Sequence, residues 1–149
     1  MRINITITPY ELGSYINISP LKGDDPFTLT SDTAECREII AEEIIDYIPI
    51  DKMLDVITHY VSKLRLGGKI VLGGTDIIEL SKDILRQNKT MVEANHEIFG
   101  AQTEELKEWG LKKGCLALND VVAILSHLGL HITKQRLDGS KFIVEAVRD

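Results

Sequence analysis

The chain has 149 residues, of which 44% are hydrophobic and 27% charged, and a formal net charge of −6. Length and composition fit one globular domain over residues 1–149 and exclude disordered or fibrous architectures. The negative balance disfavours a broad, non-specific grip on nucleic acid, which needs a basic face against the phosphates.

In chain order, Arg2-Ile3-Asn4-Ile5-Thr6-Ile7 alternates apolar and polar residues and reads as a half-buried strand that ends at Pro9. A second short strand is expected at 15–18, between Gly13 and Pro20, with no room for a crossover helix before it. Residues 21–33 read as a loop with at most one brief strand at 27–29. Residues 34–48 are ambiguous: Ile39-Ile40 and Ile44-Ile45 suit one long helix, or a strand at 37–41 followed by a helical turn. After Pro49, Asp51 is placed to cap a helix with Met53, Leu54, Val56, Ile57, Tyr60, Val61 and Leu64 on its inner side, stopping at Gly67-Gly68.

Lys69-Ile70-Val71-Leu72 is a continuous apolar run ending in Gly73-Gly74, the pattern of a central strand covered on both faces. Thr75 and Asp76 are placed to cap a helix to about residue 86, followed by helical stretches at 90–99 and 102–109. Asn119 is expected to cap a helix over 120–128, with Gly129 at its left-handed C-terminal position. Strands at 130–136 and 141–147 flank Leu137-Asp138-Gly139-Ser140, in which Asp-Gly is a strong hairpin signal. This order implies a mixed sheet with helices packed on it.

No apolar run approaches the ~20 residues that cross a bilayer, and the first residues lack a signal peptide's apolar stretch, so a cytoplasmic protein without membrane contact is expected. Cys36 and Cys115 lack CxxC spacing and read as ordinary buried thiols. His127 and His131 are separated by the helix-breaking Gly129, so no zinc pair is expected from them, and no metal from the sequence as a whole. His59 is expected on the outer side of its helix. Lys107, Lys112 and Lys113 read as a solvated helix end. Gly73, Gly74 and Asp76 lie just past the central strand, where open α/β sheets place ligands. Asp76 also suits an ordinary helix cap. Glu42 and Glu43 follow the adjacent strand, and such a carboxylate pair can supply a general base.

Three stretches carry a family likeness. Leu64-Arg65-Leu66-Gly67-Gly68-Lys69-Ile70-Val71-Leu72 is similar to an "LKPGG" turn and the strand after it. Residues 38–49 are similar to a strand and its "hvlEHip" turn, with Asp46 and Tyr47 standing for Glu and His. Ala123-Ile124-Leu125-Ser126-His127-Leu128-Gly129-Leu130 resembles an "LLeeaGF" helix end. Over about three quarters of its length the chain thus resembles a class I S-adenosylmethionine-dependent methyltransferase. Its start resembles a compact branch that begins "LNLGSG" and continues "GYINVD", here Ile3-Asn4-Ile5-Thr6-Ile7-Thr8 and Ser14-Tyr15-Ile16-Asn17-Ile18-Ser19.

The resemblance implies an α/β fold, a Rossmann-like mostly parallel sheet with flanking helices and a C-terminal antiparallel hairpin, and favours the strand at 37–41. It implies S-adenosylmethionine as cofactor, in a crevice formed by Thr8, Ser19, Ala41, Glu42, Glu43, Gly73, Gly74 and Asp76, and a methyl acceptor of unspecified class. The residues in the cofactor motifs depart from the family. Thr6, Ile7 and Thr8 stand where a glycine loop brings backbone amides to the cofactor, and Ile7 is expected to fill that space. Ser19 replaces the acid that holds the ribose hydroxyls through charge-assisted hydrogen bonds. Two functions are therefore expected: a methyltransferase, or a noncatalytic relative that binds a protein partner or forms a homo-oligomer through surface left uncovered.

Overall fold

In a computed structural model that describes every residue except Pro9, the chain folds around a six-stranded sheet. Its strands are β1 (Arg2–Ile5), β2 (Ile16–Ile18), β3 (Cys36–Ala41), β4 (Leu64–Thr75), β5 (Leu130–Asp138) and β6 (Lys141–Arg148). Their order is β2-β1-β3-β4-β6-β5; the first four run parallel, and β6 and β5 add an antiparallel hairpin. Among the described residues four α-helices accompany them: α1 (Met53–Lys63), α2 (Ile77–Leu85), α3 (Met91–Phe99) and α4 (Leu118–His127). This is the expected mostly parallel α/β sheet with a closing hairpin.

The sheet's two faces are made differently. Ile3, Ile39, Ile70 and Ala146 share one row across four strands, and Ala41, Leu72 and Val144 share the next. These side chains form the core with Val56, Ile57, Tyr60 and Val61 of α1 and with Val121 and Leu125 of α4. The alternate residues Arg2, Glu38 and Lys69 point the other way, as does Glu145. Lys69 lies 3.0 Å from Glu145 and 4.0 Å from Glu38, whose carboxylate accepts from the Tyr15 hydroxyl at 2.7 Å. A parallel sheet is ordinarily covered by helices on both faces. Here the second face carries a charged row that water can solvate.

Residues 6–15 join the parallel strands β1 and β2, a shorter link than the dozen or more residues such a crossover usually takes. The side chains of Asn4 and Asn17, neighbours across the two strands, pin it. Asn4 Nδ2 donates to the Tyr10 carbonyl at 2.8 Å, and Asn17 Oδ1 accepts from the Leu12 amide at 2.9 Å. Pro9, where the sequence ends the first strand, lies outside the described residues.

Several boundaries differ from expectation for local reasons. Strand β4 begins at Leu64, ahead of the glycine pair, because Leu64 is extended and fully buried; Gly67, at φ 77°, lies within the strand, near a shift of register with β3. Asp51 belongs to a 3-10 turn, Ile50–Lys52, and the helix cap is Lys52 without a side-chain bond. Leu54, expected on the inner side of α1, is 51% exposed. Helix α4 starts one residue before Asn119, and the Asp120 carboxylate accepts from the Ala117 amide at 3.0 Å. Residues 104–110 form 3-10 turns interrupted at Lys107. No strand forms at 27–29; the Leu29 amide instead donates to His59 Nε2 at 2.9 Å.

That hydrogen bond corrects the reading of His59 as a surface residue. It is half-buried and must be neutral at Nε2 to accept. Desolvation, with help from Lys63, lowers its pKa below 6.5, against a weaker opposing pull from Asp25. The unfolded chain therefore binds this proton more readily. The stability His59 contributes is complete above about pH 6.5 and is lost as pH falls through the lowered folded-state pKa. Urea midpoints should fall more between pH 8 and pH 5 for the native chain than for His59→Gln. Equal falls would mean that the imidazole is not titrating.

Candidate functional site

The strand order reverses between β1 and β3, since β2 lies on one side of β1 and all later strands on the other. Ligands of open α/β sheets bind beyond the carboxyl ends of the strands at such a point. A cavity of about 290 Å³ opens there, lined by Asn4, Thr6, Tyr10, Leu12, Ile40, Glu42 and Glu43. A second, of about 330 Å³, lies beyond the ends of β3 and β4 and under the hairpin turn. Glu42 and Glu43 line both.

Of the eight residues expected in the crevice, the structure brings Glu42, Glu43 and Gly74 to cavity walls. Ala41 is fully buried at the end of β3, and Thr8 is exposed and lines neither cavity. Gly73 serves strand packing: a Cβ there would collide with the carbonyl oxygens of Glu42 and Phe142. Asp76 is the cap of α2. One of its oxygens accepts from the amides of Ile78 and Glu79, each at 2.9 Å, and the other from Leu118 at 2.8 Å.

Ser19 is 1% exposed and turned inward; its hydroxyl donates to the Ile7 carbonyl at 2.8 Å and accepts from the Leu21 amide. Ile7 does not fill the crevice as its place in the sequence suggests. Its side chain is 2% exposed within the core, and Tyr10 and Leu12 narrow the crevice instead. The Thr6 amide is taken by the Ile18 carbonyl. The Ser19 hydroxyl and the Thr6 amide are thus taken up within the fold, and the remaining space sits at the low end of the roughly 300–1,000 Å³ usual for ligand sites. In this conformation neither Ser19 nor the Thr6 amide is free to hold the cofactor.

The second cavity is built on a group that the sequence does not announce. Asp46, 4% exposed, accepts from the Thr75 amide and hydroxyl, both at 2.9 Å, and lies 2.9 Å from Lys112 Nζ. Lys112 also donates to Thr75 Oγ1 and to the Glu97 carbonyl. It is therefore no solvated helix-end lysine, but a clamp joining the segment after α3 to the sheet. Gly74 gives Asp46 its seat, since a Cβ there would stand 2.7 Å from Asp46 Oδ1. Nothing in the spacing of residues 46 and 112 points to the pair; only the likeness of Asp46-Tyr47 to the "EH" turn marks one end.

Glu43 stands at the mouth shared by the cavities, exposed yet crowded, and the loss of solvation raises its carboxyl pKa, opposed by Lys141 and assisted by Glu42. The Tyr47 hydroxyl is pushed up to about 12 by burial, then by Glu43 and Asp46, and stays a neutral donor. Cys115 is half-buried, its thiol against the Thr75 carbonyl and pushed up to about 11 mainly by burial, so it is not a nucleophile at neutral pH. Trp109 packs on Phe27, with ring centroids 5.5 Å apart.

No family model matches the sequence, and no curated protein matches it in sequence. Solved structures match the fold. Magnesium protoporphyrin IX methyltransferase from Synechocystis PCC 6803, determined with bound S-adenosylhomocysteine, is 14% identical over 91% of this chain and 52% of its own, with a TM-score of 0.58. A Pyrococcus horikoshii OT3 protein is 12% identical over 91% of this chain and 60% of its own, with a TM-score of 0.61. A S-adenosylmethionine-dependent methyltransferase from Methanosarcina mazei is 13% identical over 99% of this chain and 82% of its own, also at 0.61. The chain spans little more than half the length of the first two. At these identities the likeness is one of architecture: the chain has the Rossmann-like fold of the S-adenosylmethionine-dependent methyltransferases.

Proposed function

We propose that the chain uses this methyltransferase fold as a binding scaffold and does not transfer methyl groups. The observation that carries this reading is Ser19, which stands where the family holds the cofactor ribose and instead closes the loop on the Ile7 carbonyl. Without an acid to hold the ribose and without the amide approach of a glycine loop, cofactor binding is weaker by about 3–5 kcal/mol, a factor of roughly 150 to 5,000. Exposed apolar side chains on α2 and α3, among them Leu85 at 83%, Val92 at 66% and Met91 at 61%, support a role in protein assembly. The competing reading, a working methyltransferase, draws on Glu43, whose raised pKa suits a general base toward a methyl acceptor.

Thermal unfolding with S-adenosylmethionine separates the two. A ligand at 100 times its dissociation constant adds about 2.7 kcal/mol, which for a chain of this length raises Tm by roughly 5–10 °C. The scaffold reading expects a shift below about 1 °C at a concentration a hundredfold above micromolar. Ser19→Asp should gain no binding, because its carboxylate would face the Ile7 carbonyl with no proton between them. A full shift for the native chain would restore the enzyme.

A further inference from the structure

The second cavity separates charges of opposite sign that form no ion pair among the described residues. Its floor is the end of β4, at Gly74 and Thr75. On one side stand Glu42 and Glu43, after β3; on the other stand Arg136 and Lys141, flanking the hairpin turn. Lys141, on β6, lies two strand spacings from β3, roughly 10 Å, and Arg136, on β5, three, roughly 14 Å, and the side chains of both line the cavity between. Among the described residues, neither Arg136 nor Lys141 comes within the 4.0 Å of an ion pair with any carboxylate. Lys112 and Asp46 neutralise each other beneath the site, and Asp138 adds one further acid at the rim.

We propose that this cavity binds a free α-amino acid with an apolar side chain. Its ammonium meets Glu43 and Glu42, its carboxylate meets Arg136 and Lys141, and its side chain lies against Tyr47 and Ile143. A zwitterion carries its two charges on one short skeleton, and a charge-assisted hydrogen bond of about 2.7–2.9 Å at each end bridges the gap between the walls. A purely anionic ligand would leave Glu42 and Glu43 facing it, and a purely cationic one would leave Arg136 and Lys141. The volume, about 330 Å³, admits a whole amino acid. This adds a ligand to the scaffold and stands apart from the cofactor question, because the two ligands are titrated separately.

The test is a titration of the full chain with L-phenylalanine, followed by backbone amide chemical shifts. The expected result is saturable shifts around Glu43, Tyr47 and Arg136 with a dissociation constant of about 1 mM or below. N-acetyl-L-phenylalanine, without the ammonium, and L-phenylalaninamide, without the carboxylate, should each bind at least about tenfold more weakly, equivalent to about 1.4 kcal/mol. Glu43→Gln and Arg136→Gln should do the same. Both residues are exposed, and an unchanged amide spectrum elsewhere verifies that each variant is folded. Phenylalanine that fails to saturate in the millimolar range, or blocked analogues that bind as well as the parent, would overturn the proposal.

Discussion

Replacing Asp46 by alanine is expected to lower the free energy of unfolding by about 3–5 kcal/mol, the cost of removing one partner of a buried ion pair. The Asp46 carboxylate is bound to the Thr75 amide, the Thr75 hydroxyl and Lys112. Without it, the Lys112 ammonium keeps only the Thr75 hydroxyl and the Glu97 carbonyl as partners. Domains are stable by about 5–15 kcal/mol in all, so the variant should be close to unfolding. The penalty belongs to the stranded charge more than to the missing attraction. Asp46→Ala combined with Lys112→Met should therefore cost less than the sum of the two single changes, as measured by urea unfolding. Strictly additive losses would mean that the pair is not coupled.

The second large effect is Ile70→Ala. Ile70 is fully buried in the central strand, between Ile39 on β3 and Ala146 on β6, so truncation leaves a cavity bounded by two neighbouring strands. The expected loss is about 2–5 kcal/mol, or several degrees in Tm at roughly 2–4 °C per kcal/mol. Ile16 occupies the same row at the sheet edge but is 50% exposed. Ile16→Ala should therefore stay much closer to the ±0.5 kcal/mol of an ordinary surface change, roughly a tenth to a quarter of the Ile70 effect. Comparable losses at the two positions would contradict a core that thins toward the β2 edge of the sheet.

The fold is legible in the sequence where a signal is local. The apolar run of β4 with its glycine pair, the Asp-Gly hairpin, the helix starting after Thr90 and the Asp76 cap all reappear in the structure. The ambiguous stretch at 37–41 needs the family likeness, because a pair of isoleucines suits a helix turn and a buried strand equally. The site is less legible. Glu42, Glu43 and Gly74 follow from their place after the strands. Asp46 and Lys112 do not, since their pairing is made only when the segment after α3 folds back over the sheet. The bulk of Ile7 suggests a place in the crevice, yet it keeps the alternation of Ile3 and Ile5 past the end of β1 and is buried in the same core.

The scaffold reading rests on the closed loop between β1 and β2, and its most direct test is a calorimetric titration of the native chain with S-adenosylhomocysteine, which needs no knowledge of a methyl acceptor. The expected result is no saturable binding tighter than about a tenth of a millimolar. Micromolar binding that disappears in Glu43→Ala, where the two cavities meet, would contradict the scaffold and put the cofactor in the crevice after all.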